Sequence, residues 1–321
     1  MRPFRDAARV KCCGCSRLLQ RVTTDFGADS SFDTAAKKLK EHYGITLPVS
    51  ACRNITEAHG AKMAAQAELL DKIPTKQGPE CIIAEADGSM VPIVEIVVEK
   101  DGPTDRRKCR KHEWKEARLT MARPQGSTQA IYGAIMGSPD DVGELLLHCT
   151  IKAGLTTKSR VHCVGDGATW IANQVSLVFA NQGEYLVDFY HVSDYLAKAA
   201  EVCAPDQKDQ WLRSQGKNLK EGRIEEVFAG LLPHCSQSDK ESAAATCYNY
   251  LKNRETQLDY VGAIQAGLPI GSGEIESGHR HVIQARLKIA GAWWKKKNMK
   301  SMLALRAVSY THLTLPTKRI V

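Results

Sequence analysis

The fold of this 321-residue chain is decided by two stretches, Glu80-Cys-Ile-Ile-Ala-Glu-Ala-Asp-Gly88 and Arg160-Val-His-Cys-Val-Gly-Asp-Gly167. Each is a short apolar run of strand length that ends in Asp-Gly, a dipeptide typical of turns. Val91 to Glu99 and Trp114 to Ala122 are predicted as further strands, antiparallel to the first run. The sequence therefore predicts three meandering strands ahead of the second stretch.

Strand and helix alternate after the meander. Asp140 to Ala153 predicts a helix, Arg160 to Asp166 a buried parallel strand, Ala168 to Ala180 a helix, and Gly183 to Phe189 another strand. This order outlines an RNase H-like α/β domain, a mixed sheet with flanking helices. From about 192 to 263 almost every residue is compatible with helix, which predicts a helical insertion.

The N-terminal region is predicted to be small and helical. Ser31 is placed to cap a helix that Gly44 ends, and a second helix is expected from Ser50 through Ala67. Such a pair could be a DNA-binding helix-turn-helix, and it could equally be two helices that pack on the next domain. Lys72 to Glu80 contains two prolines and a glycine, so we interpret it as a linker.

These boundaries predict an N-terminal DNA-binding region at 1–75 and a catalytic domain at 76–306. Ser309-Tyr-Thr-His-Leu-Thr-Leu-Pro-Thr317 looks like a translated sequencing-library adapter. We therefore expect residues 307–321 to be a foreign tail that makes no specific packing with the core, and the chain to be a truncated fragment.

Two cysteines near the start form a candidate metal motif. Cys12 and Cys15 make a Cys-x-x-Cys pair that could present two thiolates to a zinc ion. A complete site needs two more ligands, and none follows at the usual spacing. Half a zinc site and a cluster of buried thiols are equally compatible with the sequence.

Composition points to a polyanionic partner. Lys and Arg number 44 against 36 Asp and Glu, so the net charge is +8. No apolar stretch approaches the roughly 18 residues of a membrane-spanning helix, and the N-terminus does not have the form of a secretory signal. Eleven cysteines, an odd number, argue for reduced thiols. We expect a cytoplasmic, nucleoid-associated protein with no membrane partner.

Acidic residues mark the candidate chemistry. Asp87 and Asp166 each follow a predicted strand beside a glycine, a placement that suits a hard cation such as Mg²⁺. One Asp-Gly is usually only a turn, but two on neighbouring strands favour a site. Gly271-Ser-Gly-Glu-Ile-Glu-Ser277 then opens a long predicted helix. Its first turn could bring Glu274 or Glu276 to the two aspartates.

These motifs occur together in a known family, and the chain from about 26 to 306 resembles ISKra-type bacterial insertion-sequence transposases. The C-terminal signature is carried by Gly271 to Ser277, Gln284-Ala-Arg-Leu-Lys288, Gly291-Ala-Trp-Trp294 and Met302-Leu-Ala-Leu-Arg306. The upstream marks are Asp87-Gly-Ser-Met-Val-Pro92, Trp114-Lys-Glu-Ala-Arg118, Gly165-Asp-Gly-Ala-Thr-Trp170 and Asp188-Phe-Tyr-His191.

The resemblance implies a DDE enzyme with an RNase H-like core, in which Asp87, Asp166 and Glu276 are the three catalytic, metal-binding acids. Glu276 is preferred to Glu274 because the Glu directly before Ser is characteristic of the family's motif. Two Mg²⁺ or Mn²⁺ ions roughly 3.5 to 4 Å apart would clamp an in-line displacement at phosphorus. The implied partners are transposon terminal inverted repeats and target DNA, bound by a homodimer.

Basic residues near the third acid are candidate phosphate contacts. The predicted DNA-binding residues are Arg280, Arg286, Lys288, Lys295, Lys296 and Lys297. A second basic run, from Arg106 to Lys115, could bind DNA or be a solvated face. His191 is expected to have a structural role rather than a DNA contact.

The sequence thus predicts a DNA transposase that cleaves and transfers strands. The alternatives are an RNase H-like nuclease or resolvase without strand transfer, and a non-catalytic DNA-binding protein in which the acids only end strands.

Overall fold

The computed structural model describes residues 14–66, 69–97, 109–235 and 242–313. The strands are β1 Cys81–Ile96, β2 Arg110–Pro124, β3 Ile131–Ile135, β4 Arg160–Gly165 and β5 Gly183–Val187. The helices up to β5 are α1 Arg17–Asp29, α2 Phe32–Tyr43, α3 Val49–Gln66, α4 Pro139–Lys152 and α5 Thr169–Phe179. Those after β5 are α6 Phe189–Cys203, α7 Lys208–Lys220, α8 Ile224–Leu231, α9 Ala243–Lys252 and α10 Tyr260–Gln265.

Two further helices end the described chain. Gly273–Gly278, His279–Gln284 and Ala285–Leu287 follow one another without a break and form α11, whose middle segment is π-helical. Helix α12 spans Lys296–Leu313. None of the helices in the described residues is long and apolar enough to cross a membrane.

The five strands form one mixed sheet in the order β3-β2-β1-β4-β5. β2 pairs antiparallel with both β1 and β3, whereas β4 pairs parallel with both β1 and β5. Three meandering strands followed by strand–helix alternation therefore build the sheet, and the predicted RNase H-like α/β fold class is confirmed.

The first half of the meander differs from the prediction. A single strand, β1, replaces the two strands expected around Gly88, and it pairs with β2 from Ile82 to Ile96 without interruption. Asp87 lies opposite Leu119 in the middle of this ladder, so the prediction that it ends a strand is wrong. Apolar residues on both sides of Asp87-Gly88, such as Ala86 and Val91, are buried, and their burial continues the strand through a dipeptide that locally favours a turn.

Side-chain alternation in β1 divides the core into two layers. Ile82, Ala84 and Ala86 pack with α4 and α5 on one face of the sheet. Val91 and Ile93 pack with α11 and α12 on the other face. Burial of each large apolar side chain contributes about 1.5 to 3 kcal/mol. Glu85 and Asp87 alternate with Ala84 and Ala86 along β1, so their side chains belong to the opposite face, which α11 covers.

The N-terminal helices were largely predicted. Ser31 caps α2 by accepting the Thr34 amide at 3.1 Å, and Gly44 ends it with a left-handed φ of 66°. Helix α3 packs on α12, where Gly60 lies so close to the Ser301 carbonyl that a Cβ would be 2.7 Å from it. The helical pair therefore contacts the C-terminal helix α12, and its DNA-binding role stays a prediction.

The insertion after β5 is helical as expected and has a core of its own. Helices α6 to α10 pack against β5 through a cluster of buried residues that includes Val192, Leu196 and Tyr260. The Tyr260 hydroxyl donates to the Val187 carbonyl at 3.0 Å, which ties this cluster to the end of β5. The insertion is thus anchored at the carboxyl edge of the sheet.

The C-terminal residues pack on the core, so the prediction of a tail without specific packing is wrong for the part described. Ala307 is 3% exposed. The Tyr310 ring lies 4.9 Å from that of Tyr132, and the Tyr132 amide donates to Thr311 Oγ1 at 2.9 Å. The helical pattern of α12 continues past Arg306 and carries these side chains onto β3.

Candidate active site

A cleft of about 280 Å³ opens at the carboxyl ends of the parallel strands, beside the middle of β1. Its lining residues in the described chain are Ala86, Asp87, Gly165, Asp166, Asp188, Tyr190, His191, Asp194, Ser272 and Glu276. Five of them carry a carboxylate, and no Lys or Arg is among them. We call this feature the acidic cleft; it brings together all three acids that the sequence singled out.

Asp87 enters the cleft from β1. Its Oδ1 accepts the Gly88 amide at 2.7 Å, and its Oδ2 lies 3.1 Å from Nε2 of the buried His279. Helix α11 can bring His279 this close because Gly278 has no side chain: a Cβ there would be 2.8 Å from Leu119 Cδ2. His279 Nε2 is thus within ion-pair distance of the Asp87 carboxylate but does not hydrogen-bond to it, and His279 was not among the predicted site residues.

Asp166 follows β4 and is held by the helical insertion. Its Oδ1 accepts the Ala168 amide at 2.8 Å at the start of α5, and its carbonyl accepts the Tyr250 hydroxyl at 2.7 Å. The Arg254 Nε donates to the Gly167 carbonyl at 2.7 Å, and Gly167 itself has a φ of 86°. Because Tyr250 and Arg254 come from the end of α9 and the segment after it, the insertion positions the second acid.

Asp188 was missed as a site residue, although it repeats the pattern of an acid directly after a parallel strand. It is buried, and its Oδ1 accepts the amides of Tyr190 at 2.6 Å and His191 at 3.3 Å. Its Oδ2 accepts the Ser272 amide at 2.7 Å and the Ser272 hydroxyl at 2.5 Å. Asp188 thus joins the start of α6 to the segment that leads into α11, which carries Glu276.

The first turn of α11 separates the two candidate third acids. Glu276 is exposed and lines the acidic cleft, and its carboxylate has no hydrogen-bond or ion-pair partner among the described residues. Glu274 points to the other side, where both its oxygens accept the Arg123 Nε at 2.8 and 2.7 Å. Two positions along a helix turn a side chain to nearly the opposite face. Glu276 therefore faces the acidic cleft, whereas Glu274 forms an ion pair with Arg123.

Glu274 belongs to a second cleft, which we call the Arg123 cleft. Its volume is about 650 Å³, and its walls include Arg123, Tyr132, Pro269, Glu274 and Ser277. Glu85 lies buried close by, where its Oε2 accepts the Ile275 amide at 2.6 Å, and burial raises the pKa of Glu85 to about 8. A carboxyl that stays neutral at pH 7 fits this position under α11.

The carboxylates of the acidic cleft are not gathered on one point. In the described part of the chain no three His, Cys, Asp or Glu side chains are close enough to share a metal ion. Asp87 is turned toward Gly88 and His279, and Asp166 toward the Ala168 amide, which explains the separation. The prediction that the acids lie within shared coordination distance is therefore wrong for this arrangement, whereas the oxygen donor set is of the type that Mg²⁺ and Mn²⁺ prefer.

The predicted DNA contacts divide by burial. Arg280, Lys295, Lys296 and Lys297 are exposed. Lys288 is half-buried and donates to Ser89 Oγ at 2.7 Å, two residues from Asp87, and burial lowers the pKa of Lys288.

Arg286 differs from the other predicted DNA contacts because it is buried. It is 2% exposed, its Nε donates to the Gly27 carbonyl at 2.9 Å, and its guanidinium lies between the rings of Phe32 and Trp294. Burial lowers its pKa to about 10. The prediction of Arg286 as a DNA contact is wrong, because this side chain joins α11 to the N-terminal helices.

The remaining predicted features lie partly outside the described residues. Cys12 is outside them, while Cys15 is buried near Cys52. Burial raises the pKa of Cys52, and Cys15 adds to the rise. Of the second basic run, residues 106–108 also lie outside, and Lys115 pairs with Glu113 at 2.7 Å.

The sheet and the acidic cleft define an α/β protein with a carboxylate-lined site at the carboxyl ends of its parallel strands. The chain belongs to the uncharacterised protein family UPF0236, whose model matches residues 19–319. No curated protein matches the chain. Among solved structures it is similar to the Drosophila P element transposase strand transfer complex, at 10% identity over 91% of this chain and 78% of that chain, with a TM-score of 0.31.

Proposed function

We propose that this protein is a DDE-type DNA transposase, of the kind its ISKra-like motifs suggest, which cleaves and transfers DNA strands. The observation that carries the proposal is the acidic cleft: five carboxylates without Lys or Arg among the described lining residues, on an RNase H-like sheet. Such a concentration of negative charge would repel a DNA phosphate by itself. It suits a site whose positive charge comes from bound cations.

Mg²⁺ or Mn²⁺ is the proposed cofactor, held by Asp87, Asp166 and Glu276. When bound, a pair of such ions activates an attacking hydroxyl and stabilises the leaving oxygen. Asp188 is left out of the ligand set because both its oxygens already accept hydrogen bonds from Ser272 and the start of α6. The chain's own residues do the positioning: the Gly88 amide donates to the Asp87 carboxylate, His279 lies beside it, and Tyr250 holds the loop of Asp166.

DNA is the proposed substrate, and its phosphates are proposed to meet Arg280, Lys288 and the lysines at 295–297. Lys288 supports this most directly, because its contact with Ser89 puts an ammonium group near Asp87. Each phosphate neutralised would add about 0.9 to the slope of log affinity against log salt. Two ends must be joined to one target, so we propose that the active form is a homodimer on DNA.

The test uses duplexes cut from the DNA that flanks the gene on both sides, incubated with a supercoiled plasmid in Mg²⁺ or Mn²⁺. The expected result is metal-dependent nicking at the end sequence and joining of that end to the plasmid. Asp87→Asn should abolish both reactions while the affinity for the duplex changes by less than about twofold, since phosphate contacts dominate affinity.

Each of the other outcomes would favour a different function or a different catalytic residue. Nicking without joining would identify a nuclease or resolvase. Binding without any cleavage would identify a non-catalytic DNA-binding protein. Cleavage by Asp87→Asn at the parental rate would remove this aspartate from the catalytic set.

A further inference from the structure

A short extended segment adds to the edge of β1 beyond the acidic cleft. Strand β4 pairs with β1 only from Cys81 to Glu85. Farther along the same strand the Val94 amide donates to the Trp294 carbonyl at 2.8 Å, and the Trp294 amide donates to the Pro92 carbonyl at 3.2 Å. The segment before α12 thus extends the sheet, and the cleft lies in the interval between the two pairings.

Alternation along this segment sends its two tryptophans to opposite faces. Trp294 is buried, and its Nε1 donates to the Leu287 carbonyl at 3.1 Å. Trp293 faces the other way and meets His112 at a ring distance of 4.4 Å and Trp114 at 5.9 Å. We call His112, Trp114 and Trp293 the aromatic patch.

The aromatic patch is open to solvent. Trp114 is 53% exposed, Trp293 is 38% exposed, and the neighbouring Met90 and Ile96 are exposed as well. Helices α4 and α5 cover this face of the sheet only over its inner half, around Ile82 to Ala86. Large exposed aromatic surfaces that a fold leaves uncovered mark binding sites.

The charges around the patch are positive. Arg110 shares the patch face with Trp114 by strand alternation, and Lys295, two residues after Trp293, is exposed. Neither has an ion-pair partner within the described part of the chain. Glu116, also on this face, is neutralised by Arg118 at 2.7 Å. Cations interleaved with aromatic rings are typical of surfaces that bind single-stranded nucleic acid.

We infer that the aromatic patch binds unpaired nucleotides of a DNA strand, whose bases stack on Trp114 and Trp293 while Arg110 and Lys295 contact its phosphates. The inference rests on the proposed function for the identity of the nucleic acid as DNA. In a duplex the faces of the bases are covered by their neighbours, so ring-on-base stacking requires a strand that has been opened or is single. The aromatic rings are therefore expected to bind single-stranded DNA in preference to duplex, whereas the cations bind the phosphates of either form.

The patch and the acidic cleft lie along one strand. Pro92, opposite Trp114, is five residues beyond Asp87, a distance of roughly 17 Å at about 3.3 Å per strand residue. That span matches about five base steps at 3.4 Å. Asp87 belongs to the face that α11 covers and Trp114 to the opposite face, so a strand cleaved at Asp87 would pass around the edge of β1, in the interval between its two pairings, to place its unpaired bases on the patch.

The test measures the affinity of the full chain for a labelled 16-nucleotide oligo(dT) and for a hairpin duplex of matched charge. Trp114→Ala and Trp293→Ala should each weaken oligo(dT) binding by roughly 5- to 150-fold, the range for loss of one stacked base, and change duplex binding by less than about twofold. Trp114→Phe should keep most of the affinity because it keeps a ring. Lys295→Ala should weaken both ligands alike.

Tryptophan fluorescence gives a second readout. Oligo(dT) should quench the parental emission, and most of that quenching should vanish in the two alanine variants. Trp211→Phe, which removes a tryptophan of α7 far along the chain from the patch, is the matched control. Oligo(dT) should still quench the emission of this variant. Circular dichroism and thermal unfolding verify that each variant is folded.

Three outcomes would overturn the inference. They are equal losses on oligo(dT) and duplex, unchanged binding in both alanine variants, and a dimer that dissociates in Trp114→Ala while oligo(dT) binding is preserved. The last would make the patch an interface between copies of the chain. Failure of the proposed function is separate, because it appears as duplex binding without metal-dependent cleavage and joining, whatever the result with oligo(dT).

Discussion

The two clefts beside the first turn of α11 contain similar acids in opposite electrostatic situations. In the Arg123 cleft, Glu274 is paired with the Arg123 guanidinium. In the acidic cleft, Glu276 lies with Asp87 and Asp166, and no Lys or Arg is among the lining residues of the described chain. The fold therefore neutralises one set of carboxylates internally and leaves the other set to be neutralised from outside.

Two glutamates on one helical turn therefore differ in role: Glu274 forms a structural ion pair, and Glu276 is a candidate functional residue. A carboxylate with a fixed guanidinium partner contributes to stability and has no free oxygen for an ion. Like charges that share a cleft without a partner destabilise the fold, and such strain is typical of functional sites. We therefore expect substitution of Glu276 to lower activity without lowering stability, and loss of the Arg123–Glu274 pair to lower stability.

The largest expected effect is on strand cleavage by Glu276→Gln. Loss of one of the proposed metal-binding carboxylates should lower the cleavage rate by at least roughly 100-fold, since charge stabilisation by bound ions is worth several kcal/mol. Thermal stability should stay equal or rise, because a repulsive charge is removed. Glu274→Gln is the matched control and should cleave within about threefold of the parental rate. Equal losses in the two variants would erase the distinction between the clefts.

The next effect is on stability and concerns the other cleft. Arg123→Met leaves Glu274 without its partner above the buried Glu85, and it should lower the free energy of unfolding by about 1 to 3 kcal/mol in urea titrations. Adding Glu274→Met should restore part of the loss. An Arg123→Met protein as stable as the parent would mean that the ion pair is solvated and carries no structural role.

Metal binding should be measurable without DNA. Mg²⁺ at about ten times its dissociation constant should stabilise the fold by about 1.4 kcal/mol and raise the melting temperature. The shift should disappear in Asp87→Asn and in Glu276→Gln but persist in Glu274→Gln. A shift that survives in all three variants would locate the cation elsewhere.

The smallest effect concerns pH and the wall of the Arg123 cleft. His162 Nε2 lies 2.8 Å from the Pro269 carbonyl, and burial lowers its pKa from the ordinary 6.5. The unfolded chain therefore binds a proton before the folded one does, so stability is retained above pH 6.5 and lost as pH falls below it, by at most about 1.4 kcal/mol per unit. His162→Gln should flatten this acid limb in unfolding curves recorded from pH 7.5 to 5. An unchanged slope would show that His162 is not responsible.

Local signals predicted the elements well, because their causes lie within a few residues. Ser31 and Gly44 bound α2 through their own caps, and the apolar run before Asp166 forms a parallel strand as expected. The order of the strands followed from the meander and the later alternation. Here, sequence-local chemistry and tertiary packing agree.

The failures share a long-range cause. Asp87-Gly88 has turn chemistry, but pairing with β2 extends the strand through it. Arg286 resembles a surface cation until Phe32 and Gly27, some 250 residues away, enclose it. Asp188 had the same strand-end placement as Asp166, and only its bonds to Ser272 reveal its role. Residue type and spacing predicted three of the five acids that line the acidic cleft, whereas the direction of each carboxylate depends on contacts that the sequence does not show.

The distribution of the cleft residues along the chain also determines when the site can exist. Asp87, Asp166 and Glu276 lie 79 and 110 residues apart, so closing the cleft requires contacts of high sequence separation, which form late in folding. Tyr250 and Arg254 must also dock before the loop of Asp166 is held. A nascent chain that has not yet extended past α11 has no complete acidic cleft. Synthesis from N- to C-terminus thus delays formation of the acidic cleft until α11 has emerged from the ribosome.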